Sequence, residues 1–287
     1  MATRLSGSGW YVGDGGESNS QAKGLSTING GGAKQGIYDV SSTQNFPLGY
    51  RVAFDDGRVY RYAHFVSAVG PGKVVAQDFS VSGFASIDAK FTNSAGTSAD
   101  QSAGATTVYL LDTDTFTTAD AEDVFAGGYF ITTDDQGEGH SLRVKSNTQG
   151  TAAGLMQLDL YDGLPVAVNS ESSGAVVGNM YRNLAIANNG TDDVVSGVTV
   201  VDMAAGEYGW VQTWGVGAVL GDASAGTLAA GTIAQLSDGV NGAAQPFGGG
   251  AVNSEDDHSY APEPILGYFV TAIANGEYGP IFLQVSP

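Results

Sequence analysis

The chain contains no cysteine. Disulfides, thiolate metal sites and thiol nucleophiles are therefore excluded, and assembly in a reducing cytoplasm fits. Basic residues are absent from a long stretch: Asn183 to Pro287, 105 residues, holds no lysine or arginine but 11 Asp and Glu. The first 90 residues hold 8 of the 11 basic side chains against 7 acids, and the remainder holds 3 against 23. So anionic a surface repels phosphate, which argues against contact with nucleic acid or an anionic membrane. It suits a face turned to water and makes the near-neutral first third the better docking region. No apolar run reaches the ~20 residues that span a bilayer. The start, from Met1 to Gly9, has no apolar signal core, so a soluble product without an export address is expected.

Sequence signatures of chemistry are also missing. There is no Gly-x-Ser-x-Gly elbow and no phosphate loop, and no Gly-x-Gly-x-x-Gly links a strand to a helix. The three histidines, His64, His140 and His258, lie far apart. His140 precedes a strand and reads as a strand-edge side chain. Paired acids suited to glycoside hydrolysis occur at Asp134–Asp135, Asp192–Asp193 and Glu255–Asp257, all among turn residues where carboxylates are ordinarily solvated. Asp112, Asp114, Thr118, Asp120 and Asp123 fall at positions 1, 3, 7, 9 and 12 of a calcium loop. Phe116 and Thr117, however, stand where a ligand and a glycine are needed. The expectation is a non-enzyme with no catalytic residues, cofactor or metal.

Glycine is abundant, 43 of 287, about twice the usual share. Helical spacing is scarce, and short β-rich runs are bounded by Gly, Asn and Asp. The clearest is a hairpin, 48–54 and 58–65, around Asp55-Asp56-Gly57. Further strands are expected at 73–79, 106–111, 129–133, 141–146, 155–161, 194–201, 208–213, 231–236, 265–273 and 280–285. Thr117 and Asp120 form a capping-box pattern, so one short helix is expected over 119–126. The fold class is all-β: a Gly-rich N-terminal arm (1–45), then a β-rich domain (46–188) and a C-terminal β domain (189–287), each a sandwich or barrel. Asn188 to Asp193 reads as the last boundary. The string Gly206-Glu207-Tyr208-Gly209 returns as Gly276-Glu277-Tyr278-Gly279, each copy reading as a turn that feeds a strand. Tyr208, Trp210, Gln212 and Trp214 share one strand face, a row that reads as a subunit-interface or core face, or as a sugar-stacking platform.

Three segments carry a resemblance. They are Pro47–Gly49 with Asp56–Ala63, Ala126–Phe130 with Gly137–Asn147, and Gly206–Gly215 with Ile265–Gly267. In this order they resemble the decoration or cement proteins of tailed bacteriophages, over about residues 45 to 287. The resemblance implies a non-enzymatic virion protein, often a homotrimer, that binds the major capsid protein on the outer surface of the shell and is made in the host cytoplasm. Arg4, Trp10, Tyr11, Lys23, Lys34, Arg51, Arg58 and Arg61 are then the expected capsid contacts, and Tyr208, Trp210, Gln212 and Trp214 the trimer or ligand face. A tail fibre or receptor-binding protein using that face for a host glycan is the alternative.

Overall fold

The computed structural model describes residues 10–12, 16–18, 35–78, 88–114, 116–188, 194–247 and 263–287. Among them the chain is all-β and has no helix. It divides into two compact units, one made of residues 1–78 with 180–287 and the other of 79–179. The middle of the expected 46–188 domain is thus an insertion that interrupts a single larger unit. The boundary expected at 188–189 does not divide them, because β5 pairs with strands on both sides of it.

The first unit opens with β1 (Trp10–Val12), β2 (Gly16–Ser18), β3 (Arg51–Phe54), β4 (Val59–His64) and β5 (Val74–Gln77). The inserted unit holds β6 (Ala89–Thr92), β7 (Thr107–Leu111), β8 (Tyr129–Asp134), β9 (Ser141–Asn147), β10 (Leu155–Leu160) and β11 (Ser173–Val177). The first unit resumes with β12 (Leu184–Ile186), β13 (Val195–Thr199), β14 (Tyr208–Leu220), β15 (Ile233–Leu236), β16 (Ala244–Pro246), β17 (Ile265–Phe269) and β18 (Tyr278–Gln284).

The insertion is a closed barrel, ordered β10-β7-β6-β11-β8-β9. Closure leaves no edge strand. Its strands alternate: in β9, Leu142 and Val144 point inward while Ser141, Arg143 and Lys145 face out. Phe91, Leu110, Phe130, Met156 and Leu158 fill the interior.

Two expectations need correction. Residues 119–126 do not form a helix. The capping contacts do form, since Asp120 Oδ2 accepts from the Thr117 amide and Thr117 Oγ1 accepts from the Ala119 amide. The run then breaks at Asp123, whose φ is 61°. Asn147 takes the donors a helix would use: its carbonyl accepts from the Asp123 amide and its side-chain oxygen from the Phe125 amide. The N-terminal 45 residues are not an arm throughout. Trp10–Val12 pairs with both β2 and β3. Gln35 and Ile37 are buried, and Ser41 bridges to Tyr208.

The first unit contains the same five-strand motif twice. In the first copy β4 pairs with β14, β14 with β13, β13 with β5, and β5 with β12. In the second, β14 pairs with β18, β18 with β17, β17 with β15, and β15 with β16. Strand β14 serves both. Val198 faces Gln212 in the first copy, and Tyr268 faces Phe282 in the second, each partner 70 positions later in the chain.

The match extends to irregular details. Gly197 (φ 155°) and Gly267 (φ 143°) occupy equivalent positions, and a Cβ on either would strike the carbonyl of residue 212 or 282. The Gly72 amide donates to Thr199 O as the Gly231 amide donates to Phe269 O. The parallel bridge Phe65–Leu184 has its counterpart in Gly221–Ala244. The two Gly-Glu-Tyr-Gly strings are the matching turns that feed β14 and β18. Where the second copy joins β15 to β16 by residues 237–243, the first carries the whole barrel between β5 and β12.

Candidate interaction surface

The expected basic surface begins at the β3–β4 hairpin, where Gly57 takes φ 86° in the turn. Asp56 accepts from the Arg58 amide and pairs with its Nε at 2.7 Å. The Arg58 guanidinium also donates to the Tyr60 hydroxyl and lies over the Phe54 ring, 5.1 Å from its centroid. Burial works against the Arg58 charge, but Tyr60 and Asp56 outweigh it and the pKa rises. Burial pushes the Tyr60 hydroxyl well above its ordinary range, with Arg58 opposing.

Arg61 is held as closely. It donates to Gly49 O and to a Pro287 oxygen and covers the Tyr181 ring at 5.8 Å. Its Nε is buried without a partner. Arg51 lies directly across the ladder from Arg61 and is exposed. Two like charges in facing positions repel, so an anionic group docking beside Arg51 would relieve a local cost. Of the eight expected capsid contacts, Arg51 is the one described side chain both exposed and cationic. Trp10 and Tyr11 lie in β1 beside β3. Arg4, Lys23 and Lys34 lie outside the described residues.

Of the readings of the Tyr208–Trp214 row, the core reading holds for Trp210 and Gln212, but the four residues do not share one face. Trp210 is fully buried, its ring centroid 5.1 Å from Tyr62 and 5.3 Å from Phe46. Phe46 stacks on Tyr50, and Tyr208 stacks on Tyr62 and leans on His64. Gln212 is buried, and its amide nitrogen donates to the carbonyls of Trp214 and Val216. A bulge between Gln212 and Trp214 breaks the period of two, so the four residues are not one face. Trp214 lies instead against Phe282. An external glycan or a second subunit has no access to Trp210 or Gln212. The aromatic density that suggested a platform fills the core, because residues 35–50 fold over it.

Sequence reasoning missed the residues that fasten that cover. Gln35 accepts from Asn45 Nδ2 and the Tyr62 hydroxyl, and donates to the carbonyls of Asp39 and Tyr208. No periodic signal marks a lone glutamine in a Gly-rich segment. Arg182 was also unread. It depresses the His64 pKa, an effect led by burial and opposed by the bond to Asn183.

The candidate chemical centres are dispersed. Asp134 ends β8 and Asp135 follows it, both exposed, and Asp135 accepts from Asn169. Asp192, Asp193, Glu255–Asp257 and His258 lie outside the described residues. Asp120 is buried while Asp114, Thr118 and Asp123 face water. Among the described residues no group of three or more His, Asp or Glu side chains is placed to hold a metal ion. His140 Nδ1 lies 2.7 Å from Gly137 O, a local strand-edge contact. Comparison of the chain with protein-family models, with curated proteins and with solved structures finds no match in any of the three.

Proposed function

We propose that the chain is a capsid decoration protein of a tailed bacteriophage, a homotrimer that binds the outer surface of the major capsid protein lattice and stabilises the filled head. The observation that carries this reading is the uneven charge: everything after Lys90 holds 3 basic residues against 23 acids. Such a body turns away from packaged nucleic acid and towards water. The ordered resemblance over residues 45–287 supports it as well. The near-neutral N-terminal region and Arg51 then meet the shell. Binding an assembled shell but not its separate subunits stabilises the shell by mass action, and many copies add avidity. Deleting residues 2–34, which stops short of buried Gln35 and Ile37, together with Arg51→Glu, is expected to lower occupancy on purified capsids at least tenfold. The melting temperature of the remaining strands should stay close to that of the parent. Unchanged occupancy rejects the reading. The glycan-binding alternative loses its platform, since Trp210 and Gln212 are buried.

A further inference from the structure

The two copies of the five-strand motif treat one face in opposite ways. Residues directly opposed in antiparallel strands project to the same side of a sheet. In the second copy Val216 opposes Phe282, Phe282 opposes Tyr268, and Tyr268 opposes Ile233. These four form a row across four strands, β14, β18, β17 and β15. Val216 is 48% exposed, Tyr268 38% and Ile233 46%. The Phe282 and Tyr268 rings stack at 5.1 Å. Ala218, Pro280 and Val270 extend the patch along the same side. The opposite side of these strands is a packed core of Val219, Ile281, Leu283, Phe269 and Ala234.

An antiparallel sheet with one face packed ordinarily turns polar residues to water on the other. Here both faces are apolar, and none of the row residues is charged at neutral pH. The first copy shows what such a row does when covered. Its equivalent is Tyr60, Gln212, Val198 and Val74, exposed by 1%, 3%, 1% and 0%. Val198 and Val74 lie in one core with Leu236, Phe269 and Leu283 of the second copy. Within the chain, then, the Val198–Val74 end of this face is buried by another copy of the same motif, while Tyr60 lies in a core with Phe54.

We infer that the Val216–Phe282–Tyr268–Ile233 face is buried against a second copy of this chain, turned to the axis of a closed oligomer. Charge favours that occupant. Chains each carrying a net charge of −19 repel over most of their surface, and the uncharged row is where two can meet with little repulsion. A contiguous exposed patch of large apolar side chains such as Val216, Tyr268, Ile233 and Val270 marks an interaction surface more than a solvated sheet face. The inference names the self-contact of the trimer proposed above, but it does not depend on the shell.

The test is the mass of the full-length protein by light scattering and sedimentation at ~1–100 µM. Wild type should be a dimer or trimer. Val216→Lys with Ile233→Lys should shift it to monomer, with association weakened at least a hundredfold. Both sites are substantially exposed and the change lowers the net negative charge, so neither misfolding nor added overall repulsion accounts for dissociation. An unchanged circular dichroism spectrum and melting temperature at high dilution check the fold. Because the chain has no cysteine, Val270→Cys provides a second readout: an intermolecular disulfide should form under mild oxidation. A monomeric wild type overturns the inference, as does an oligomer that both variants leave intact without cross-linking. If wild type is monomeric and the lysine variant loses capsid binding, the face belongs to the shell and the inference fails. If the variant is monomeric yet still binds capsids, the inference stands apart from the decoration reading.

Discussion

The first and second copies of the five-strand motif share pairing order, register and even the glycines at their irregular positions, yet they diverge in what covers them. In the first copy Trp210 and Gln212 are sealed beneath residues 35–50 and the second copy's core. In the second copy the matching positions are Pro280 and Phe282, which border water. One backbone plan has therefore been kept while side-chain polarity followed local surroundings. A strand ladder is specified by hydrogen bonds common to all residues, whereas side chains answer to what lies against them.

The sharpest way to break this comparison is at the buried end. Trp210→Ala should cost about 3–5 kcal/mol, the range for truncating a buried large aromatic, measured by urea unfolding. Val216→Ala, at the corresponding open end, should change the stability of the monomer by less than about 0.5 kcal/mol. Similar losses at both sites would mean that the second face is already covered within the chain.

The equivalence itself is tested by Gly197→Ala and Gly267→Ala. Each forces a side chain onto a positive φ and against a facing carbonyl, so both should destabilise by at least about 1–3 kcal/mol. A substitution tolerated at one position and not the other would undo the assignment of matched hairpins.

A smaller effect is expected from His64, which only the first copy possesses; its counterpart is Leu220. Its pKa is held below the ordinary 6.5, chiefly by burial. The folded state therefore favours the neutral ring, and the unfolded chain binds the proton first as pH falls. The stability this contributes is present above pH 6.5 and declines as pH drops towards the folded value. His64→Gln should flatten that part of the stability–pH curve relative to wild type. Parallel curves for the two proteins would remove the assignment.

The smallest effect is expected from exchanging the insertion. Replacing residues 79–179 by a loop like 237–243 should leave the spectrum and melting of the remaining unit close to those of the parent. Loss of folding would mean that the barrel is a required part of the first copy.

Much of this plan can be read in the chain, but unevenly. All twelve expected strands coincide with observed ones, because alternation and Gly-Asp-Asn turns mark them directly. Strands β1, β2, β6, β11, β12 and β16 have no counterpart among them. In β6, β11 and β16 three or four residues are buried, so no alternation remains to see, and β12 is only three residues long. The repeated Gly-Glu-Tyr-Gly string was the visible end of a much larger duplication. The rest was hidden because a 101-residue insertion disrupts the spacing of the first copy, and because equivalent positions differ in polarity, as at Thr199 and Phe269, both buried. The candidate surface was least legible. Arg58 and Arg61 look available in sequence but are occupied by Asp56, Tyr60, Gly49 and Pro287. The open row of the second copy is made of residue types that sequence reading assigns to a core.

The thirteen-residue strand β14 is the last strand of one motif and the first of the next. Neither half can melt while leaving the other whole, since each would lose a central ladder. Calorimetry should accordingly record one endotherm for residues 1–78 with 180–287, despite their repeated architecture, and a separate one for the barrel. Two distinct endotherms from the repeated unit would show that the common strand does not tie its halves into one cooperative block.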